Sequence, residues 1–242
     1  MNTLTTRLAN SKQKGSFAAR ARQKRFRLLL DLLQTVPRPI SILDVGGNRT
    51  FWQNLVQAAS HDYGYSADSS NPLFEGMAIT LLNIKVDALA QVTSDIDGIR
   101  FTYIQGDGCH MPKFADGQFD VVFSNSVIEH VYTFENQQKM AQEIQRVGQR
   151  YFVQTPNRYF PVEPHFLFPC FQFLPRPVQR FLLKHWELGW YPKVSEPSVA
   201  DRMIDEIRLM KRRELQALFP EGELTEEKFA GLVKSFIVHH GF

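Results

Sequence analysis

The residues most able to do chemistry fall at three places. The run Asp44-Val45-Gly46-Gly47-Asn48 puts a carboxylate just ahead of two glycines, where a backbone can turn sharply and lie against a ligand. Glu129-His130 pairs a carboxylate with an imidazole that titrates near neutrality, a combination suited to moving protons. His165 lies in a proline-rich stretch, Pro161-Val162-Glu163-Pro164-His165, with Arg158 and Tyr159 just before it, able to position a second reactant. His130 and His165 are the candidate catalytic bases. Asp107, between Gly106 and Gly108, is a further exposed-turn carboxylate. The dinucleotide fingerprint needs glycines at i, i+2 and i+5, and from Gly46 those positions hold Asn48 and Phe51, so it fails. No Gly-Lys followed by Ser or Thr comes after this run, which excludes a P-loop there.

The elements around these residues alternate. The patterning predicts helices at Phe26–Val36, Phe51–Ala59, Glu135–Val147 and Lys211–Phe219, with a short one at Asp87–Val92. It predicts strands at Ser41–Val45, Ala78–Ile84, Phe101–Ile104, Phe119–Ser124 and Arg150–Gln154, with a last pair inside Glu227–Leu232 and Lys234–His239. Residues 60–76 read as a loop. Strand-helix alternation of this kind means an α/β fold, Rossmann-like and doubly wound. The sheet is mostly parallel and seven-stranded, with helices on both faces and an aromatic, proline-rich insert after the fifth strand. Such sheets bind ligands outside the carboxyl ends of their strands, where Asp44-Gly46-Gly47 falls. Standing alone, that turn reads equally as an ordinary strand-to-helix connection.

The motifs taken together resemble the class I S-adenosylmethionine-dependent methyltransferases, with a type 11-like methyltransferase domain. The resemblance rests on Leu43-Asp44-Val45-Gly46-Gly47, Ile79 to Asn83 and Gln105-Gly106-Asp107-Gly108 with Met111-Pro112. It continues through Phe119 to Asn125, Ser126 to Val131 and Phe229 to Val238. It covers roughly 38–158 and 208–240. It implies S-adenosylmethionine as cofactor. By position, Gly46, Gly47 and Asn48 would line its methionine and ribose part, and Asp44 would hold the turn or receive its ammonium group. Asn83 would meet the ribose hydroxyls, Asp107 the adenine amine with Gly108 beside it, and Asn125 the methionine end. The family usually has glycine where Asn48 and Thr50 stand, and an acid where Asn83 stands. In some methyltransferases of quinones and RNA ends a Glu-x-x-Glu-His pattern binds a divalent metal. Here Ser126 occupies the first position, and no metal centre is expected.

Composition bounds the rest. The 242 residues, 43% hydrophobic, suffice for one sizeable core, and no apolar run is long enough for a membrane span. The N-terminus lacks an apolar signal core, and Cys109 and Cys170 give neither a disulfide framework nor zinc spacing. A cytoplasmic location follows as the expectation. The net charge of +3 hides an asymmetry: residues 1–30 hold eight of the 28 basic residues and no acid, leaving 20 basic against 25 acidic groups elsewhere. This arm suits nucleic acid, an anionic membrane or an acidic substrate, reads equally as a solvated leader, and also resembles an organelle transit peptide. The expected organisation is a basic arm and helix over 1–37 and a methyltransferase domain over 38–242, with an insert at 158–208.

Residues 159–191 carry ten of the 30 aromatics, and seven of the 13 prolines fall between Pro156 and Pro192. The insert is expected to close over the cofactor and form an apolar acceptor pocket, or to rest on a membrane surface with Arg176, Arg180 and Lys184 at the headgroups. A satellite core or a dimer contact is the plainer alternative. The favoured function is methylation, at oxygen, of a small hydrophobic or aromatic acceptor. RNA or protein methylation is less favoured, the fourth strand ending in Ser124-Asn125-Ser126-Val127 rather than an Asp/Asn-Pro-Pro-Tyr signature. A non-catalytic methyltransferase-like binding module remains open through Asn48 and Asn83.

Overall fold

A computed structural model describes the backbone of residues 17–62, 74–85, 95 and 98–242. Its elements are α1 (Phe17–Gln34), β1 (Ile40–Val45), α2 (Arg49–Asp62), β2 (Met77–Asn83), β3 (Ile99–Gln105) and β4 (Val121–Asn125). They continue with α3 (Phe134–Val147), β5 (Tyr151–Pro156), α4 (Arg176–His185), α5 (Pro197–Asp205), α6 (Arg212–Leu218), β6 (Glu223–Phe229) and β7 (Leu232–His240). Short 3-10 turns sit at Ile128–His130 and Phe171–Phe173.

The strands form one sheet in the order β3-β2-β1-β4-β5-β7-β6. β1 to β5 pair in parallel, while β7 runs antiparallel to both β5 and β6. The order reverses between β1 and β4, which opens a crevice at their carboxyl ends.

The two-residue period of the strands sorts side chains between two cores. Ile40 and Ile42 of β1, with Val121 and Phe123 of β4, face α1 and α2. Leu43, Val45 and Val122 face α3 and α6. The same alternation sends Asp44 and Asn125 to the side of α1 and α2. In α1, Phe26, Leu29, Leu30 and Leu33 recur at helical spacing and are 3% exposed or less. Each leucine removed from water there contributes about 1.5–3 kcal/mol. In α3, Met140, Ile144 and Val147 form the buried stripe; Thr133 caps its first turn and Gly148 ends it.

Several boundaries differ from the sequence expectation. α1 begins at Phe17, because Ala- and Arg-rich residues favour helix without apolar periodicity. α2 reaches Asp62 and starts at Arg49, since Asn48 caps it three residues before the first apolar position, Phe51. Phe119 makes only an isolated bridge to Gly148, so β4 starts at Val121. β6 starts at Glu223, not within 227–232, and turns into β7 through Ala230 and Gly231, both at positive φ. It is an edge strand with charged, half-exposed residues, which hides its alternation. The expected helix at 87–92 lies outside the described residues, as does most of the expected loop at 60–76.

The insert builds a core of its own. Phe166, Phe171, Leu183, Leu188 and Ala200 are buried together, with Phe168, Tyr191 and Ile204 packed around them. Among the described residues no helix is long and apolar enough to cross a membrane.

Candidate functional site

At the end of β1, Gly46 takes φ +74°, and its N–H donates to the Leu82 carbonyl at 2.7 Å. A Cβ on Gly46 would lie 2.6 Å from the Val127 methyls; one on Gly47 would lie 1.7 Å from Asp44 Oδ2. Both glycines are therefore required by close approach. Asp44 is 1% exposed and accepts from Trp52 Nε1 at 2.8 Å, while its Oδ1 is buried without a partner. Burial, opposed by the Trp52 bond, pushes its carboxyl up to about 7. Asn48 is exposed, and its Oδ1 accepts from the Phe51 N–H at 3.1 Å, as a helix cap.

The neighbouring strand ends extend this rim. Asn83 closes β2: its Oδ1 accepts from the Ile84 N–H at 2.9 Å, its Nδ2 reaches the Gly47 carbonyl at 3.5 Å, and its own carbonyl accepts from the Gly106 N–H. Asp107 is exposed after β3, with Oδ1 accepting from the Cys109 N–H at 2.8 Å. A Cβ on Gly108 would stand 2.7 Å from Val45 Cγ1, so that turn also lies against β1. Asn125 ends β4, and its Oδ1 accepts from Arg25 Nη1 at 2.6 Å.

Arg25 belongs to α1 and also binds Glu227 of β6 through two bonds, at 3.0 and 2.6 Å. The two side chains are 13% and 7% exposed. Removing one partner of such a pair leaves a desolvated charge. We expect Arg25→Met to cost about 3 kcal/mol in urea unfolding. The double variant Arg25→Met/Glu227→Gln should recover part of that loss. A single variant as stable as the parent would mean the pair holds nothing.

Beyond the glycine turn, Val127 leads into the 3-10 turn carrying Glu129 and His130, whose N–H donates to the Val127 carbonyl at 2.8 Å. His130 Nε2 lies 3.2 Å from His165 Nε2, with the rings edge to face. His165 Nδ1 is 2.7 Å from Glu163 Oε1, and Glu163 Oε2 accepts from the His165 and Phe166 N–H groups. Burial, then the neighbouring His165, holds His130 down at about 4, so it is neutral at pH 7. For His165, burial pulls downward, but the Glu163 bond and charge outweigh it and the net shift is upward. Glu129 is fully buried and accepts from Thr155 Oγ1 at 2.9 Å, while its Oε1 has no partner. Burial pushes that carboxyl up to about 7, against the opposing pull of His165.

A cavity of about 360 Å³ lies in the insert; Glu163, which holds His165, lines it, while neither histidine does. Its walls include Tyr132, Glu163, Phe166 and Phe171, together with Arg158 and Arg208. The lining of this cavity is mixed, because charged residues from the ends of the insert meet its aromatic core there. Arg158 is anchored by its N–H on the Met210 carbonyl and by Gln172 on its own carbonyl, with its guanidinium 6.0 Å from the Phe173 ring.

The structure thus gathers Asp44, Gly46, Gly47 and Asn83 on one rim, with Gly108 against β1, and brings His130 and His165 together. The Asn125 side-chain oxygen is engaged by Arg25 and the Asn48 oxygen by its own helix. Sequence reasoning did not assign roles to Trp52, Arg25, Glu163 or Glu129 in this geometry. Trp52 lies eight residues beyond Asp44, in the first turn of α2, a spacing that could have signalled it. Nothing local signals the partners of Arg25, 100 and 202 residues away.

The sheet order, the antiparallel β7 and the glycine turn at the switch point define an α/β protein of the Rossmann-like, ligand-binding class. Residues 62–150 match the family model described as "Methyltransferase domain". The chain is 27% identical over 232 aligned residues to "Uncharacterized protein Rv1509" of Mycobacterium tuberculosis, spanning 88% of this chain and 73% of that one. In fold it is similar to a magnesium protoporphyrin IX methyltransferase from Synechocystis, with TM-score 0.50, 12% identity and 97% and 91% of the two chains covered. It is similar also to the methyltransferase domain of a bacterial Hen1, with TM-score 0.50, 14% identity and 90% and 97% covered. A methyltransferase domain model thus matches residues 62–150, and the chain shares its Rossmann-like fold with solved methyltransferases.

Proposed function

We propose that this chain is an S-adenosylmethionine-dependent methyltransferase that acts at oxygen on a small acceptor with an apolar or aromatic body and a polar or anionic end. The observation that carries the reading is Glu163. It holds His165 by its carboxylate and also lines the cavity. An acceptor seated in the cavity would lie across Glu163 from His165. Phe166 and Phe171 suit the body of such a molecule, and Arg158 its anionic end.

S-adenosylmethionine, when bound, supplies an electrophilic methyl group on a sulfonium. The chain's residues fit that cofactor in two respects: a Cβ would fill the cradle at Gly46 and Gly47, and Asp44 Oδ1 is a buried acceptor lacking a donor. Asp44 would receive the ammonium, Asn83 the ribose hydroxyls and Asp107 the adenine amine. The chain's part in transfer is mainly alignment and water exclusion, which can be worth up to about 7–11 kcal/mol in well-oriented reactions. With no ion on His165, the Glu163–His165 pair would handle the acceptor's proton, adding roughly 10²–10⁴-fold. The test is transfer of labelled methyl to a panel of phenols and hydroxy acids, in matched forms with and without an anionic group. Turnover confined to nucleic acid or protein would sink the small-molecule reading.

The Asp44 carboxyl gives a pH expectation. With a folded value near 7 it is mostly neutral at pH 6 and must ionise to face an ammonium. Cofactor affinity should therefore rise between pH 6 and 8, then level off. Asp44→Asn should bind about 10–100-fold more weakly, with a flatter profile. An unchanged pH profile in that variant would remove Asp44 from ammonium binding.

A second reading concerns where the acceptor is met. The insert exposes Phe173, Phe181, Trp186 and Trp190 at 47–59%, with Lys184 nearby. Such exposed aromatics, Phe181 on α4 and Trp186 just after it, with a basic residue beside them, suit insertion at a lipid headgroup boundary. Co-sedimentation with anionic vesicles should fall at least about tenfold in Phe181→Asp/Trp186→Asp. If parent and variant both stay in the supernatant, the membrane contact is wrong.

A further inference from the structure

We propose that Glu129, His130 and His165 bind one divalent first-row transition cation. This goes beyond the methyl-transfer reading, because ion binding is measurable without cofactor or acceptor. The three residues come from two separate parts of the chain, the 3-10 turn after β4 and the insert after β5. One ligand atom from each lies within 4.8 Å of the other two.

Four features give the group the character of a site. The two imidazole Nε2 atoms are 3.2 Å apart. Two nitrogens each about 2.1 Å from one ion, at that separation, subtend about 100° at it, between the tetrahedral and octahedral angles. Glu163 grips Nδ1 of His165, which orients the ring and leaves Nε2 free to ligate, as an outer carboxylate does for metal-bound histidines. Glu129 is fully buried, with Thr155 on one oxygen and no partner for the other. A buried acceptor oxygen without a donor is costly, and a cation removes that cost. Lastly, two imidazoles and one carboxylate form a nitrogen-rich set that favours zinc, cobalt, manganese or iron over magnesium. Three protein donors also leave coordination positions open for water or another ligand.

Ser126 does not take part: its Oγ donates to Gln154 Oε1 at 2.8 Å. His165 instead supplies the third ligand, 35 residues after His130. Binding draws the three donors closer than their present outer limit, since opposite ligands at about 2.1 Å stand no more than about 4.2 Å apart.

The test uses the untagged full chain, stripped with chelator and titrated with Co2+. One equivalent should bind, giving visible absorption bands of nitrogen and oxygen ligation and a higher melting temperature. His165→Ala and Glu129→Gln should each weaken binding by about 100-fold or more, and Glu163→Gln by about 10–100-fold. Glu129→Gln keeps the side-chain volume, and circular dichroism on every variant separates lost ligation from lost fold. A parent that takes up no stoichiometric Co2+, or folded ligand variants that match it, would overturn the site. S-adenosylmethionine titrated into the same preparations keeps the two claims apart: cofactor binding without cobalt uptake defeats only the metal site.

Discussion

Replacing Gly47 with alanine is expected to lower affinity for S-adenosylmethionine by about 100-fold or more, equivalent to about 2.7 kcal/mol. The added methyl would lie 1.7 Å from Asp44 Oδ2 and 1.9 Å from its carboxyl carbon. No rotation of a methyl relieves such overlap, so the carboxylate or the turn must move. Moving the carboxylate breaks its 2.8 Å bond from Trp52 inside a packed core. Moving the turn shifts Gly46, whose N–H ties β1 to the end of β2 at 2.7 Å. Either response spoils the cradle proposed for the methionine end of the cofactor. Trp52→Phe separates the two effects, since it removes the bond to Asp44 and leaves the turn unobstructed. Calorimetry should show that variant binding more strongly than Gly47→Ala. Equal affinity of Gly47→Ala and the parent would mean the cofactor does not approach this turn.

The second large effect is expected at His165. His165→Ala should lower the methyl-transfer rate by roughly 10²–10⁴-fold while leaving the cofactor dissociation constant within about threefold. His165 stands across from His130 and is held by Glu163, away from Asp44 and Gly47 in the proposed division of the site. Its loss removes the proposed proton carrier of the ion-free site, or a proposed ligand of the ion-bound one. Glu163→Gln keeps the shape but loses the charge that orients His165, so a smaller fall of about tenfold is expected. Single-turnover rates with preformed cofactor complex are the measurement. A cofactor affinity that collapses with the rate would move His165 out of the acceptor half.

The contrast between these two positions reflects what a sequence makes legible. The turn at Asp44-Gly46-Gly47 stood out because its signal is local. A buried strand, two glycines and a following helix fall within a dozen residues, and their order dictates the geometry. The sheet was legible for the same reason, since Ile40, Ile42, Leu43 and Val45 already encode two buried faces. Edge strand β6 was read poorly, because Glu223, Glu226 and Lys228 face water and blur its alternation. The two histidines were each picked out by type, yet their contact was not, because 35 residues and a whole strand separate them. Arg25 looked like one charge among eight in a basic arm; only the packing of α1 against the sheet beside β6 brings it to Asn125 and Glu227. The insert showed its aromatics in the sequence, but not that Phe166 and Phe171 would turn inward while Phe181 and Trp186 turned out.

The account rests on a cofactor held at the carboxyl end of β1, and equilibrium binding of S-adenosylmethionine tests it most directly. Calorimetry on the full chain should give one site per chain in the micromolar range, competed by the demethylated product and weakened in Gly47→Ala. No heat of binding up to millimolar cofactor, from protein shown to be folded, would contradict it.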